Sequence, residues 1–122
     1  MVLVDTSVWT DFLCNGGDGL SQLLTQGLVY IHPMVIGELA CGHLKNRAQL
    51  LTLWQSLPKT KEASHMEVMH MLEQHQLMGR GIGYVDLHLL SATLLTSDTF
   101  LWTRDKRLAD IANELSVGVA IY

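Results

Sequence analysis

The stretch Met1-Val2-Leu3-Val4-Asp5-Thr6-Ser7-Val8-Trp9 decides how this chain is read. Val2–Val4 is a short apolar, β-branched run, the mark of a buried strand. Asp5 closes it, and Thr6 to Leu13 continues as a helix with Val8, Trp9 and Phe12 on neighbouring turns. A strand that passes at once into a helix leaves the acid at its carboxyl end. The pattern recurs late in the chain, where Phe100–Thr103 reads as a strand, Asp105 follows, and Lys106 to Leu115 reads as a helix. Two further acids stand in apolar surroundings. Glu38 interrupts Met34-Val35-Ile36-Gly37-Glu38-Leu39-Ala40, where a charge is costly to bury, and Asp86 lies early in Tyr84-Val85-Asp86-Leu87. Acids gathered at one edge of a sheet repel one another unless a cation neutralises them, so the set points to a divalent metal site.

Between these landmarks the signals alternate. Asn15 to Gly19 is a loop, Asp18 caps a helix over Leu20 to Thr25, and Gly27 ends it. Leu28–Ile31 is a second apolar strand. Pro33 suits the first position of a helix running to about Leu44, and another covers Arg47 to Ser56 until Pro58 stops it. Pro58 to Lys61 carries no strand pattern of its own. A helix is expected from about Glu62 to Met78, then a glycine loop over 79–83, then Tyr84 to Leu95, apolar on nearly every face as a covered helix should be. Val117–Ile121 reads as a final strand. Strands alternating with helices indicate an α/β fold with a parallel sheet, whose sites form beyond the carboxyl ends of the strands.

The 122 residues fit one domain, 1–122, and are 48% hydrophobic, which supports a folded core rather than disorder. No apolar run approaches the roughly 20 residues that span a bilayer. No basic segment precedes a longer apolar stretch at the N-terminus, so a cytoplasmic protein without a signal peptide is expected. Cys14 and Cys41 form no metal-binding pair and read as buried thiols in a reducing compartment. The net charge is −4, from 8 Lys+Arg and 12 Asp+Glu. Setting aside Asp5, Glu38, Asp86 and Asp105 leaves 8 acids against 8 bases, so the acidity is weak evidence against a phosphate-bearing substrate.

Carboxylates supply the oxygen ligands that hard cations such as Mg²⁺ and Mn²⁺ prefer, and such sites suit phosphoryl chemistry. Ser7 and Thr103 each stand two residues from an acid and can orient a carboxylate. Taken singly, Asp5 and Asp105 sit where helix caps sit, and Asp86 where an acid favours a helix start; Glu38 has no such ordinary explanation. His65, His70 and His75 are spaced by five and share no helix face, so they read as solvated residues rather than a zinc site. Met66, Met69, Met71 and Met78 suit core packing or a dimer contact. Gly79, Gly81 and Gly83 are not a phosphate loop, since no strand precedes them and no GK[ST] follows.

Together, Val4-Asp5-Thr6-Ser7-Val8-Trp9, Glu38-Leu39, Gly83-Tyr84-Val85-Asp86 with Ala92, and Thr103-Arg104-Asp105 resemble the motifs of PIN domains. The nearest likeness is to the VapC-type toxins of bacterial and archaeal toxin–antitoxin modules, and it runs from Met1 to Tyr122. The resemblance implies a three-layer α/β/α sandwich around a central parallel sheet of five strands, one of them near Pro58–Thr60. It implies Asp5, Glu38, Asp86 and Asp105 as metal-binding and catalytic acids, with Ser7 and Thr103 close to the metal. It also implies Mg²⁺- or Mn²⁺-dependent endoribonuclease activity through a metal-activated water, a homodimer, and a cognate antitoxin. Arg80, Arg104, Lys106, Arg107, Lys45 and Arg47 flank the acids and are the candidates for RNA phosphate contacts. The alternatives are a PIN-like module that binds RNA or protein without cutting, and a receiver-like phosphoacceptor domain. Against the latter, Asp5 has no acidic neighbour and Val117–Tyr122 has no lysine.

Overall fold

The computed structural model describes residues 1–119. Three short parallel strands, β1 (Val2–Val4), β2 (Val29–Tyr30) and β3 (Phe100–Trp102), form a sheet in the order β2-β1-β3. The described helices are α1 (Thr6–Asn15), α2 (Asp18–Thr25), α3 (Pro33–Ala40), α4 (Arg47–Ser56), α5 (His65–Gln74), α6 (Tyr84–Leu95) and α7 (Lys106–Glu114). The chain is thus α/β with a parallel sheet. Val2, Leu3 and Val4 are all buried, as a strand covered on both faces requires. The chain steps from β1 to β2 on one side, then returns to β3 on the other. Such a reversal is where open α/β sheets form their sites, and Asp5 stands at the carboxyl end of β1 beside it.

The sheet has three strands among the described residues, not the five that the resemblance implied. Single parallel bridges flank it, Ile31 to Lys59 at one edge and Leu101 to Gly118 at the other. The first is held by the Ile31 N–H donating to the Pro58 carbonyl at 2.9 Å. Proline lacks a donor, which limits how far the 58–61 segment can pair. The expected strand Val117–Ile121 runs partly beyond the described residues; within them only Gly118 bridges.

Two helices are shorter than their apolar periodicity suggested. The helix from Pro33 stops at Ala40 because Arg47 caps it: the guanidinium donates to the Ala40 carbonyl at 2.6 Å and to that of Gly42 at 3.2 Å. The expected helix from Glu62 to Met78 is α5, His65–Gln74. Ser64 begins it with a full capping box, its hydroxyl accepting from the Glu67 N–H while the Glu67 carboxylate accepts from the Ser64 N–H. It ends in a Schellman motif: Leu77 N–H donates to the Leu72 carbonyl and Gln76 N–H to that of Glu73, with Gln76 left-handed at φ 52°. The same pair of bonds closes α2 at Gly27 and α7 at Ser116.

The core is one cluster in which Trp9 of α1 meets Trp54 of α4 edge-on at 5.8 Å. Helix α6 is buried continuously from Leu87 to Thr93, in line with its all-round apolar sequence. Cys14 and Cys41, expected to be buried, are both exposed, since they lie where α1 and α3 run out of the core. No described helix is long and apolar enough to cross a membrane. Ser64→Ala removes one half of the capping box; we expect a loss of about 1 kcal/mol, read as a lower midpoint in urea with an unchanged slope.

Candidate metal centre

Asp5 sits at the cap position of α1, yet its side chain caps nothing. It is 6% exposed. One carboxylate oxygen, Oδ2, accepts from the Ser7 hydroxyl at 2.7 Å and from the Thr103 hydroxyl at 2.7 Å. These two hydroxyls lie 3.3 Å apart. The backbone completes the frame: Asp5 N–H donates to the Trp102 carbonyl, Arg104 N–H to Ser7 Oγ, and Asp105 N–H to Thr103 Oγ1. The end of β1, the start of α1 and the turn after β3 are therefore locked around a single carboxylate. Ser7 and Thr103, expected to orient a carboxylate, both donate to Asp5.

The other three acids each take one donor. Asp105 caps α7, Oδ1 accepting from the Leu108 N–H at 3.0 Å. Asp86 reaches back from the first turn of α6 to the Gly83 N–H at 3.1 Å. Glu38 is not buried; its neighbours Val35 and Leu39 turn inward, while Glu38 lies at the exposed rim and Oε1 accepts from the Thr6 hydroxyl at 2.5 Å. The apolar run around it thus marks the opposite face of α3. Thr6 was not singled out from the sequence; its place beside the Asp5 strand end is the signal that was available.

Burial holds the Asp86 carboxyl above the usual aspartate range, and the charges of Asp5, Asp105 and Glu38 push it further up, against the opposing pull of the Gly83 N–H. Asp86 thus feels the charge of the other three. Among the described residues, no three Asp, Glu, His or Cys side chains are already drawn into a chelating group. Instead, each of the four carboxylates engages one oxygen and leaves the other, Asp5 Oδ1, Glu38 Oε2, Asp86 Oδ1 and Asp105 Oδ2, without a partner among the described residues. Mutually repelling carboxylates with a spare oxygen apiece fit a hard divalent cation.

The basic candidates divide sharply. Arg47 is committed to the end of α3. Arg80 forms a bidentate pair with Glu114. Arg104 pairs with Asp11 at 3.3 Å and lies over the Trp102 ring at 5.7 Å. Lys45, Lys106 and Arg107 are exposed and have no ion pair among the described residues. The sequence also gave no warning of a row of rings behind Asp86. His65 Nδ1 meets the Tyr84 hydroxyl at 2.7 Å, Tyr84 packs edge-on to His88 at 4.7 Å, and His88 faces His32 at 6.3 Å. Burial lowers the pKa of both His32 and His88, more than Glu62 raises it. His32 also caps α3, Nδ1 accepting from the Met34 N–H at 3.0 Å.

The PIN domain family model matches residues 2–114, so the chain belongs to the PIN-domain family. Its relatives include the proteins named Ribonuclease VapC32 in Mycobacterium tuberculosis strains CDC 1551 / Oshkosh and ATCC 25618 / H37Rv. Each is 41% identical over 120 residues, covering 98% of this chain and 97% of the relative.

Because its folded pKa is raised, Asp86 favours stability most below its unfolded pKa, and that contribution is lost as pH rises through the folded value. Asp86→Asn mimics the protonated form and can keep the Gly83 contact. In chelator it should melt a few degrees above the wild type at pH 7, and the advantage should shrink as pH falls toward the ordinary aspartate range. A lower melting temperature at pH 7 would contradict the repulsion.

Proposed function

We propose that this chain is a metal-dependent endoribonuclease of the VapC type, the toxin of a type II toxin–antitoxin module, hydrolysing RNA phosphodiester bonds with Mg²⁺ or Mn²⁺. The observation that carries the reading is Asp5: a buried carboxylate at a strand end, fixed through one oxygen by two hydroxyls, in a chain 41% identical to named ribonucleases. Asp5, Glu38 and Asp86 would hold the ion through their unengaged oxygens, and Asp105 would complete or tune the site. Held there, such an ion would supply a water of lowered pKa and offset charge on the phosphate. Ser7 and Thr103 keep Asp5 in one orientation, and Thr6 does the same for Glu38. Burial raises the Asp86 pKa and repulsion raises it further, and a neighbouring cation would offset the repulsion.

RNA phosphates would meet Lys106, Arg107 and Lys45 most readily, with Arg104, Arg80 and Arg47 reaching them only by giving up present contacts. A cognate antitoxin and a second copy of the chain are the protein partners, and the cytoplasm is the compartment. An apolar groove of about 510 Å³ between α5 and the end of α6, lined by Met66, Met71, Leu94 and Leu95, offers protein-binding surface away from the acids. We infer the full architecture as a three-layer sandwich with five strands, the bridged segments at Lys59 and Gly118 being its outer members. The second reading, a PIN module that binds without cutting, draws on the acids' present engagement with five separate donors and on the absence of a gathered chelating group among the described residues. Family membership sets the receiver-like alternative aside.

The test is Asp5→Asn with both cleavage and melting followed. The wild type should melt higher as Mn²⁺ or Mg²⁺ is raised and should cleave RNA only with metal. The variant should fold, lose the metal-linked rise, and cut at least a hundredfold more slowly, on the order of what loss of an essential group produces. Undiminished cleavage would remove Asp5 from the site; a metal-linked rise without cleavage would favour the binding module.

A further inference from the structure

We propose that Tyr84 and Arg107 form a nucleotide subsite beside the acids, in which an unpaired RNA base lies on the Tyr84 ring and an adjoining phosphate meets the Arg107 guanidinium. This rests on the RNA-cleaving reading and adds to it where the substrate strand runs.

Tyr84 is the first residue of α6, two positions before Asp86, yet its aromatic side chain remains 44% exposed. It is held from two sides. Its hydroxyl meets His65 Nδ1 at 2.7 Å, and its ring packs against His88 at 4.7 Å and 81°. His88 is itself buried against His32. The ring is thus fixed at its polar tip and on one side, and is open on the remainder. A rigid aromatic surface of this kind can take a splayed base with little further loss of freedom. Tyr84 directly follows Gly83, whose N–H meets the Asp86 carboxylate at 3.1 Å, so ring and acid leave different faces of one helix start and a strand rounding it reaches both.

Arg107 supplies the charge. It is exposed and has no hydrogen bond or ion pair among the described residues, whereas Arg47, Arg80 and Arg104 are all engaged. Its side chain lies over Gly81, in the turn that leads into Tyr84. A Cβ at Gly81 would fall 2.7 Å from Arg107 Cδ and 2.9 Å from its Nη1, and Gly81 adopts φ +83°. Glycine there lets the guanidinium settle beside the turn instead of being pushed away. One uncommitted cation and one braced ring therefore border the same turn, on the approach to Asp86. Ring and cation side by side are the elements by which proteins track single-stranded nucleic acid.

The test uses the full chain in chelator, so that nothing is cut, and a short single-stranded RNA carrying one 2-aminopurine. Affinity is read by anisotropy and stacking by quenching of the 2-aminopurine. Tyr84→Leu keeps apolar bulk without an aromatic face and should bind roughly five- to a hundredfold more weakly, the range for losing one base–aromatic stack, with the quench lost. Tyr84→Phe loses the His65 contact but should stay close to wild type. Arg107→Gln should lower the slope of log affinity against log salt by about one contact's worth. Wild-type binding with Tyr84→Leu weakened less than fivefold, or with Leu and Phe equally impaired, would overturn the stacking role. An unchanged salt slope would overturn the role of Arg107. Failure of the wild type to bind any RNA would instead strike the RNA reading itself.

Discussion

The structure depends on the placement of one carboxylate. Asp5 ends the central strand of a parallel sheet, where the topology reverses, and Ser7 and Thr103 both donate to the same oxygen. Those hydroxyls come from the two segments that must meet for the site to exist, the start of α1 and the turn after β3. The contact therefore joins residues 98 positions apart in the chain and orients the acid in one step. Buried charge-assisted hydrogen bonds of this kind are strong because water does not compete for them. Folding and the orientation of this carboxylate are, at this point, the same event.

The remaining acids show a compromise between stability and chemistry. Each is tied to one donor: Asp105 to the first turn of α7, Asp86 to Gly83, and Glu38 to Thr6 from the distant start of α1. The first two contacts stabilise helix starts, and all three use only one oxygen apiece. A cap and a metal ligand are compatible because a carboxylate has two oxygens. Repulsion is felt at Asp86, which is partly buried at the start of a buried helix; burial raises its pKa and the other three acids push it further up. A fold optimised for stability alone would neutralise that position; retaining an acid there is the kind of cost that functional sites carry.

Much of this was legible in the chain, for reasons that can be named. Val2–Val4 with Asp5, and Phe100–Trp102 with Asp105, declared strand ends because a β-branched or aromatic run gives way at once to helical spacing. Charge alone pointed the four acids to a divalent cation, while their catalytic role was implied only by the resemblance. Glu38 was misplaced in depth: an apolar run reveals that one helix face is buried, but not that the acid sits on the other face. The ends of α3 and α5 were hidden because they are set by distant or local polar contacts, Arg47 on the Ala40 carbonyl and the Ser64–Glu67 box, rather than by periodicity. The commitment of Arg80 to Glu114, and the bracing of Tyr84 by His65 and His88, arise between elements that the sequence does not juxtapose. Sheet edges were the hardest, because a single bridge at Lys59 leaves almost no pattern to read.

Asp5, Glu38, Asp86 and Asp105 are proposed to share one cation site. The most direct measurement is anomalous diffraction at the manganese edge from crystals of the wild-type protein grown with Mn²⁺. The account predicts an anomalous peak at the carboxyl end of β1, about 2.0–2.6 Å from oxygens of Asp5 and at least one of Glu38 and Asp86, the distance range of hard-cation coordination. A peak elsewhere, or none there at saturating Mn²⁺, would contradict it.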